Sequence, residues 1–287
     1  MEQRVADRLR CPVCGEALAE VTAGAARALR CPRRHSFDIA RQGYVNLLAG
    51  RAPHGGDSAE MVAARADFLA AGHYDIISTA LAEAASAHHQ VADGDDAYPL
   101  VVDAGAGTGR HLAAVLAALP EAVGLALDVS KPALRRAARV HPRVTAALAD
   151  TWQRLPLADA SAAVLLNVFA PRNGAEFRRV LAPTGRLLVV TPAADHLTEL
   201  VDALGLLRVD PAKADRVAAS LGGHFAEESA AVHRQELNLS GPEVNTLVGM
   251  GPSAWHTDPA GLAARITALG EPVRVTVAVR LGVYRPA

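Results

Sequence analysis

Four short apolar runs, each ending on a polar residue, constrain this chain more than any other feature. The first, in "LVVDAGAGTGRHLAAVL" (100–116), ends on Asp103 and is followed by glycines at 105, 107 and 109 and then an amphipathic stretch. That is the order of a buried parallel strand, a sharp turn and a helix. The second run, "VGLALDVS" (123–130), carries Asp128, 25 residues after Asp103. The third, "VTAALAD" (144–150), ends on Asp150, and the fourth, inside "AAVLLNVFAPRN" (162–173), ends on Asn167. Ligands of open α/β sheets sit outside the carboxyl ends of the strands, so polar groups repeated there mark a binding edge. "GRLLVVTP" (185–192) reads as a fifth strand and "HLTELVDALGLL" as a helix. "EPVRVTVAVRLGVYRP" (271–286) puts Val273, Val275, Val277, Val279, Leu281 and Val283 on one face, which fits an antiparallel strand closing the sheet.

The glycine turn decides between ligands. Counting from Gly105, a dinucleotide fingerprint needs glycine where Arg110 stands, and no Gly-Lys-Ser/Thr ending offers a phosphate loop. The pattern Asp-x-Gly-x-Gly-x-Gly from Asp103 to Gly109 resembles instead the first motif of class I S-adenosylmethionine-dependent methyltransferases. The resemblance implies an α/β, Rossmann-like, mostly parallel seven-stranded sheet, with the amino-acid part of the cofactor lying against a loop floored by Gly105, Gly107 and Gly109. Asp128, at the second strand tip, places a carboxylate where it can accept both ribose hydroxyls. In the family pattern the acid at the third tip, here Asp150, reaches the adenine amino group, and Trp152 stands close enough to flank the ring.

The N-terminal segment carries a second chemistry. Cys11 and Cys14 form Cys-x2-Cys; after 16 residues Cys31 and His35 form Cys-x3-His, which accounts for all three cysteines of the chain. Two short pairs on tight knuckles close a tetrahedral zinc site. Four protein ligands leave no open position, so the zinc is expected to be structural. A redox Cys-x-x-Cys with Cys31 as a core thiol is the other reading, and it leaves His35 unexplained.

Charge is divided along the chain. The net formal charge of −1 hides nine arginines against five acids in residues 1–51, a formal +4, with −5 on the rest. A basic segment of this kind suits a phosphate backbone, although solvated arginine faces are common. At 287 residues and 51% hydrophobic content the chain can bury one large core and a small satellite. We expect a zinc-binding RNA-recognition module over 1–48, a linker and helices over 49–90, and a methyltransferase domain over 91–287. Within the linker, "DSAE" (57–60) offers Asp57 or Ser58 as an N-cap, with Glu60 three residues after Asp57, and opens a helix to about residue 71; another runs from 75 to about 89. "MEQRVADRLR" has no apolar signal region and no run reaches the roughly 18 apolar residues that span a bilayer, so a cytoplasmic protein with no membrane partner is expected.

Taken together, "CPVCGEAL", "CPRRHSFDIARQGYVNLL", "DSAEMVAARADFLAAGHY", "LDVSKPALRRAAR", "NVFAPRN", "TPAADHLTELVDALGLLRV" and "MGPSAWHTDP" closely resemble the 23S ribosomal RNA (guanine-N1)-methyltransferases over essentially the full length. "NVFAPRN" and "MGPSAWHTDP" look more like the branch associated with tylosin and mycinamicin resistance. That likeness implies methyl transfer to N1 of guanine 748 in hairpin 35 of 23S rRNA, with RNA and not DNA as partner and a homodimer as the family's assembly. It places the zinc ligands on Cys11, Cys14, Cys31 and His35, and cofactor contacts on Tyr74, Gly107, Thr108 and His196. Where some relatives carry Glu, this chain has Thr108, which forgoes a charge contact to the cofactor amino group.

Guanine N1 must be unpaired to react, which favours a hairpin substrate, and positioning should dominate the chemistry. No residue declares itself as a general base. Asn167 is the candidate to orient the base through its amide. Phe169 and Trp255 are candidates to stack on it, although each aromatic has a core role as its alternative. Two rival classes stay open: a small-molecule methyltransferase whose zinc module binds a partner, and a non-catalytic RNA-binding protein on a relic fold.

Overall fold

The computed structural model describes residues 1–24, 26–50, 55–88, 98–206, 208, 213–251 and 259–287. The chain begins with a one-turn helix α1 (Gln3–Ala6) and three antiparallel strands, β1 (Ala19–Ala23), β2 (Ala26–Arg30) and β3 (Ser36–Asp38), paired in that order. A short strand β4 (Tyr44–Asn46) leads to helices α2 (Ala59–Ala70) and α3 (Asp75–His88). Then β5 (Leu100–Ala104), α4 (Arg110–Ala118), β6 (Val123–Asp128), α5 (Lys131–Ala137), β7 (Val144–Leu148), β8 (Ala162–Val168), α6 (Gly174–Val180) and β9 (Leu181–Pro192) alternate. The chain closes with α7 (Thr198–Leu204), α8 (Lys213–Leu221), β10 (Phe225–Leu239), α9 (Gly241–Gly249), α10 (Pro259–Ala268) and β11 (Val273–Pro286).

The central sheet runs β10-β11-β9-β8-β5-β6-β7-β4. All pairings from β9 to β4 are parallel, and β11 and β10 run antiparallel at the far edge. The sheet has eight strands among the described residues, one more than the methyltransferase likeness implies, because Tyr44–Asn46 pairs with Ala146–Leu148 of β7. The chain passes from β5 to β6 on one side and returns to β8 on the other, so a crevice opens above the end of β5, where such sheets bind ligands.

Alternation along each buried strand feeds two cores. Val101, Ala126, Val164 and Leu166 face one layer with Phe68, Leu81, Leu112 and Leu116. Val102, Leu125, Leu127 and Leu165 face the other, together with Leu9, Leu18, Leu29 and Val45 of the N-terminal segment. The zinc segment therefore shares the core of the large domain instead of standing apart from it. Burying Leu9 and Leu29 completely contributes roughly 1.5–3 kcal/mol each.

Helix starts follow local chemistry. Ser58 caps α2 by accepting from Met61 N at 3.2 Å. Asp57 stands outside that helix and forms an ion pair with Arg65, so Asp57 and Glu60 make no capping box. Ser130 caps α5 and Asn173 caps α6 in the same manner as Ser58. Among the described residues, no helix is long and apolar enough to cross a membrane.

Candidate cofactor cavity and metal site

A cavity of about 980 Å³ occupies the crevice and is lined from every side of the switch point, by Asp103 and the 105–108 loop, Asp128, Asp150, Trp152, Phe169, Tyr74 and His196. Its floor is the glycine turn. Gly105, Gly107 and Gly109 have φ of +87°, +54° and +79°, the left-handed region that glycine enters without cost. The N–H groups of Gly105 and Ala106 both donate to Leu127 O, at 2.9 and 3.0 Å, which ties the turn to β6. A Cβ on Gly105 would stand 2.4 Å from Ala170 Cβ, so the turn is pressed directly against the loop that follows β8.

Three acids end their strands at this cavity in different states. Asp128 accepts from Gly107 N and Ser130 N, each at 2.8 Å, which shapes the loop and orients the carboxylate. Burial raises its pKa, and those two N–H groups oppose the rise. Asp103 is 1% exposed, and burial, with the Asp128 charge adding to it, pushes its carboxyl up to about 8. Asp150 accepts from Trp152 N at 2.9 Å. Asp103 Oδ1, Thr108 Oγ1 and Asp150 Oδ2 are buried without a hydrogen-bond partner among the described residues. Buried polar atoms are normally paired, and all three belong to residues lining the cavity. Two carboxyl oxygens and a hydroxyl, at the ends of β5 and β7 and in the glycine turn, fit a ligand carrying an ammonium, hydroxyls and an amino-substituted ring, the donor set of S-adenosylmethionine.

The opposite wall is aromatic. His196 Nδ1 accepts from Ala278 N at 3.2 Å, and burial lowers its pKa to about 4, so the ring is neutral and carries its proton on Nε2. That N–H faces Tyr74 Oη at 3.4 Å and leaves the tyrosine hydroxyl proton free to point elsewhere. Burial raises the Tyr74 pKa, keeping it a neutral donor. The Phe169 ring lies 6.3 Å from Tyr74 and 5.9 Å from His196. Phe169 combines a φ of +51° with 43% exposure, an unusual state for a bulky residue, of the kind that collects at functional sites. Trp152, 56% exposed, stands at the rim by Asp150.

Asn167 differs from expectation. Its side chain is fully buried, with Nδ2 donating to Ala104 O at 3.1 Å and Pro171 O at 2.8 Å, and Oδ1 accepting from Arg172 at 3.4 Å. With both amide hydrogens committed to the backbone and no place in the lining, it ties β5 to the loop after β8 and does not present its amide to a substrate base. Trp255 lies outside the described residues; Met250 and Gly251, which lead towards it, line the cavity.

Two lining residues carry chemistry that the strand pattern does not point to. Arg65, on α2, pairs with Asp57, donates to Met250 O at 2.8 Å and approaches Gly107. Its one trace in the sequence is a charge inside the buried stripe of Met61, Phe68 and Leu69. His111, bonded to Ser78 Oγ at 2.9 Å and held neutral mainly by burial, left no such trace.

The metal ligands come together as their spacing requires. One donor atom from each of Cys11, Cys14, Cys31 and His35 lies within 4.8 Å of all the others. Cys14 Sγ and Cys31 Sγ are 3.7 Å apart, and His35 Nδ1 is 3.5 Å from Cys11 Sγ and 3.4 Å from Cys31 Sγ. A tetrahedron with Zn–S of about 2.3 Å and Zn–N of about 2.0 Å has edges of about 3.8 and 3.5 Å, so the four atoms fit zinc. The knuckles form through Gly15 N donating to Cys11 O and Arg34 N to Cys31 O, each at 2.8 Å, with Gly15 and Arg34 at positive φ.

Comparison with known proteins bears on both sites. The family model of a zinc ribbon, described as RlmA, N-terminal, matches residues 9–52, and the one described as Methyltransferase domain matches residues 101–188. The chain is 70% identical over 286 residues to a protein of Micromonospora griseorubida provisionally named 23S rRNA (guanine-N(1)-)-methyltransferase, covering 97% of each. It is 50% identical over 286 residues to the 23S rRNA (guanine(748)-N(1))-methyltransferase of Streptomyces fradiae, covering 100% of this chain and 99% of that one. A provisionally named homologue from Bacillus subtilis strain 168 is 35% identical over 198 residues, covering 67% of this chain and 66% of that one.

Proposed function

The chain belongs to the 23S rRNA (guanine-N1)-methyltransferase family, and from that premise we propose that it methylates N1 of guanine 748 in the hairpin 35 region of 23S rRNA and so protects its host from tylosin-type macrolides. The observation that carries the proposal is the 50% identity to the guanine 748 enzyme along the whole chain, zinc ribbon included. The enzyme works in the cytoplasm, where ribosomes are, and as a homodimer.

S-adenosylmethionine supplies a methyl group already activated on its sulfonium, so this chain's residues have to bind, orient and exclude water. Asp103 and Asp150 accept hydrogen bonds from the cofactor, Asp128 takes its ribose, and the neutral Tyr74–His196 pair closes the wall opposite the acids. Gly105, Gly107 and Gly109 let its amino-acid end lie on backbone, beside the Thr108 hydroxyl, and Trp152 flanks the adenine. Phe169, exposed at the cavity mouth, stacks on the extruded guanine, the service that aromatic side chains give to flipped bases. Cys11, Cys14, Cys31 and His35 would hold a zinc that joins the two knuckles of the ribbon and has no open position for transfer chemistry, while Leu9, Leu18 and Leu29 pack the ribbon into the core of the sheet.

The test is transfer of label from methyl-labelled S-adenosylmethionine to a transcript of hairpins 33–35. Label is expected in the natural transcript and is lost when guanine 748 is replaced by adenine. Equal label in both would overturn the site assignment, and none in either would overturn the RNA reading.

A further inference from the structure

A run of cations from the cavity rim to the zinc segment has no role so far. Between Asp128 and Asp150 the chain holds Lys131, Arg135, Arg136, Arg139 and Arg143 and no acid. Arg143 is spent on the carbonyls of Leu116, Leu119 and Ala122. The other four are exposed and have no side-chain hydrogen bond or ion pair among the described residues. Lys131 and Arg135, four residues apart, share one face of α5 with Arg136 beside them, and Arg139 stands in the turn that directly follows the helix. On the opposite sheet edge three arginines are neutralised, Arg234 by Asp195, Arg274 by Glu236 and Arg280 by Glu227.

The position of α5 gives this face direction. Its cap, Ser130, lies so close to Gly56 that a Cβ on Gly56 would stand 2.7 Å from Ser130 N, and Ser130 Oγ donates to Asp57 O at 2.8 Å; Gly56 and Asp57 both line the cavity. At the other end Ala138 packs on Gly43, in the turn between β3 and β4, where Arg41 is exposed and also without an ion pair among the described residues. A line of unpaired positive charge thus runs from the cofactor cavity along α5 to the zinc segment.

We propose that this α5 face is a phosphate-binding track that carries the RNA backbone between the zinc ribbon and the cavity, with Arg135, Arg136 and Arg139 as its contacts. The proposal rests on the functional reading above and extends the RNA surface from the zinc segment onto the large domain. Charge complementarity names the occupant: closely spaced cations that no acid offsets fit a polyanion whose charges repeat along a chain, and each phosphate neutralised releases counterions.

The test measures binding of the full-length protein to the hairpin 33–35 transcript over a salt series. The triple variant R135A/R136A/R139A is expected to bind roughly tenfold more weakly or worse near physiological salt, with a log–log salt slope shallower by about 2. The lysine triple R135K/R136K/R139K should keep the slope, and R234A/R274A at the far edge should bind as the parent does. Unchanged cofactor affinity and melting temperature in the alanine triple would show that it folds. Parental RNA affinity and slope in a folded alanine triple would overturn the track and leave the functional reading standing. Failure of the unmodified protein to bind the transcript would overturn that reading and the track with it.

Discussion

Replacing Gly105 by alanine tests the floor of the cavity with one methyl group. The new Cβ would lie 2.4 Å from Ala170 Cβ, whereas carbon atoms settle at about 3.5–4.0 Å. Either the turn or the 168–171 loop must therefore move by more than about an ångström, an overpacking cost of about 1–3 kcal/mol. The φ of +87° adds about 1–2 kcal/mol for any residue with a Cβ. The total, about 2–5 kcal/mol, divides between stability and cofactor affinity, because the displaced turn carries both the Leu127 anchor and the cavity floor. We expect a melting temperature lower by about 4 °C or more and S-adenosylmethionine bound at least tenfold more weakly by calorimetry. The double variant G105A/A170G removes the clash and keeps the φ cost, so it should recover the overpacking part alone. Parental affinity and melting temperature in G105A, or no recovery in the double variant, would refute the packing argument.

Further outcomes follow from the same geometry. Asp103 holds its proton in the folded state up to about 8 against an ordinary 3.8; its contribution favours the fold most below 3.8 and is lost as pH rises through about 8. Urea midpoints of the cofactor-free protein should fall between pH 5 and 9, and less so in Asp103→Asn; parallel curves would refute the assignment. Phe169→Ala should lower kcat/KM for RNA by about ten- to a hundredfold while leaving cofactor affinity unchanged, and a loss of cofactor affinity would place the ring in the wrong subsite. Cys14→Ser should abolish zinc in elemental analysis and lower the melting temperature, since Leu9 and Leu29 pack beside Cys11 and Cys31. Retention of one zinc per chain would contradict the four-ligand site.

The parts of the site that were legible in the sequence are those set by local chemistry. A parallel strand buried on both faces must be continuously apolar, so the polar residue that ends it stands out, which is how Asp103, Asp128 and Asp150 declare themselves. The zinc ligands are legible for a similar reason, because knuckles are made within four or five residues. Asn167 shows the limit of that logic: its place at a strand tip is visible, but its commitment to Ala104 O and Pro171 O depends on how two loops meet. Arg65 and His111 reach the cavity from helices packed against it; Arg65 shows in the sequence only as a charge inside an apolar stripe, and His111 not at all. Strand β10 escaped because Phe225–Leu239 is an edge strand exposed on most residues, so no apolar alternation marks it. Strand β4 escaped because three residues, Tyr44–Asn46, carry too short a pattern, and its membership in the main sheet is a tertiary fact.

The most direct measurement is primer extension on 23S rRNA from a macrolide-sensitive bacterium expressing this protein. A methyl on guanine N1 blocks Watson–Crick pairing, so reverse transcriptase halts beside the modified base. The proposal predicts one new stop at guanine 748, absent when Asp128→Ala is expressed at the same level. No new stop, or a stop at another guanine, would contradict it.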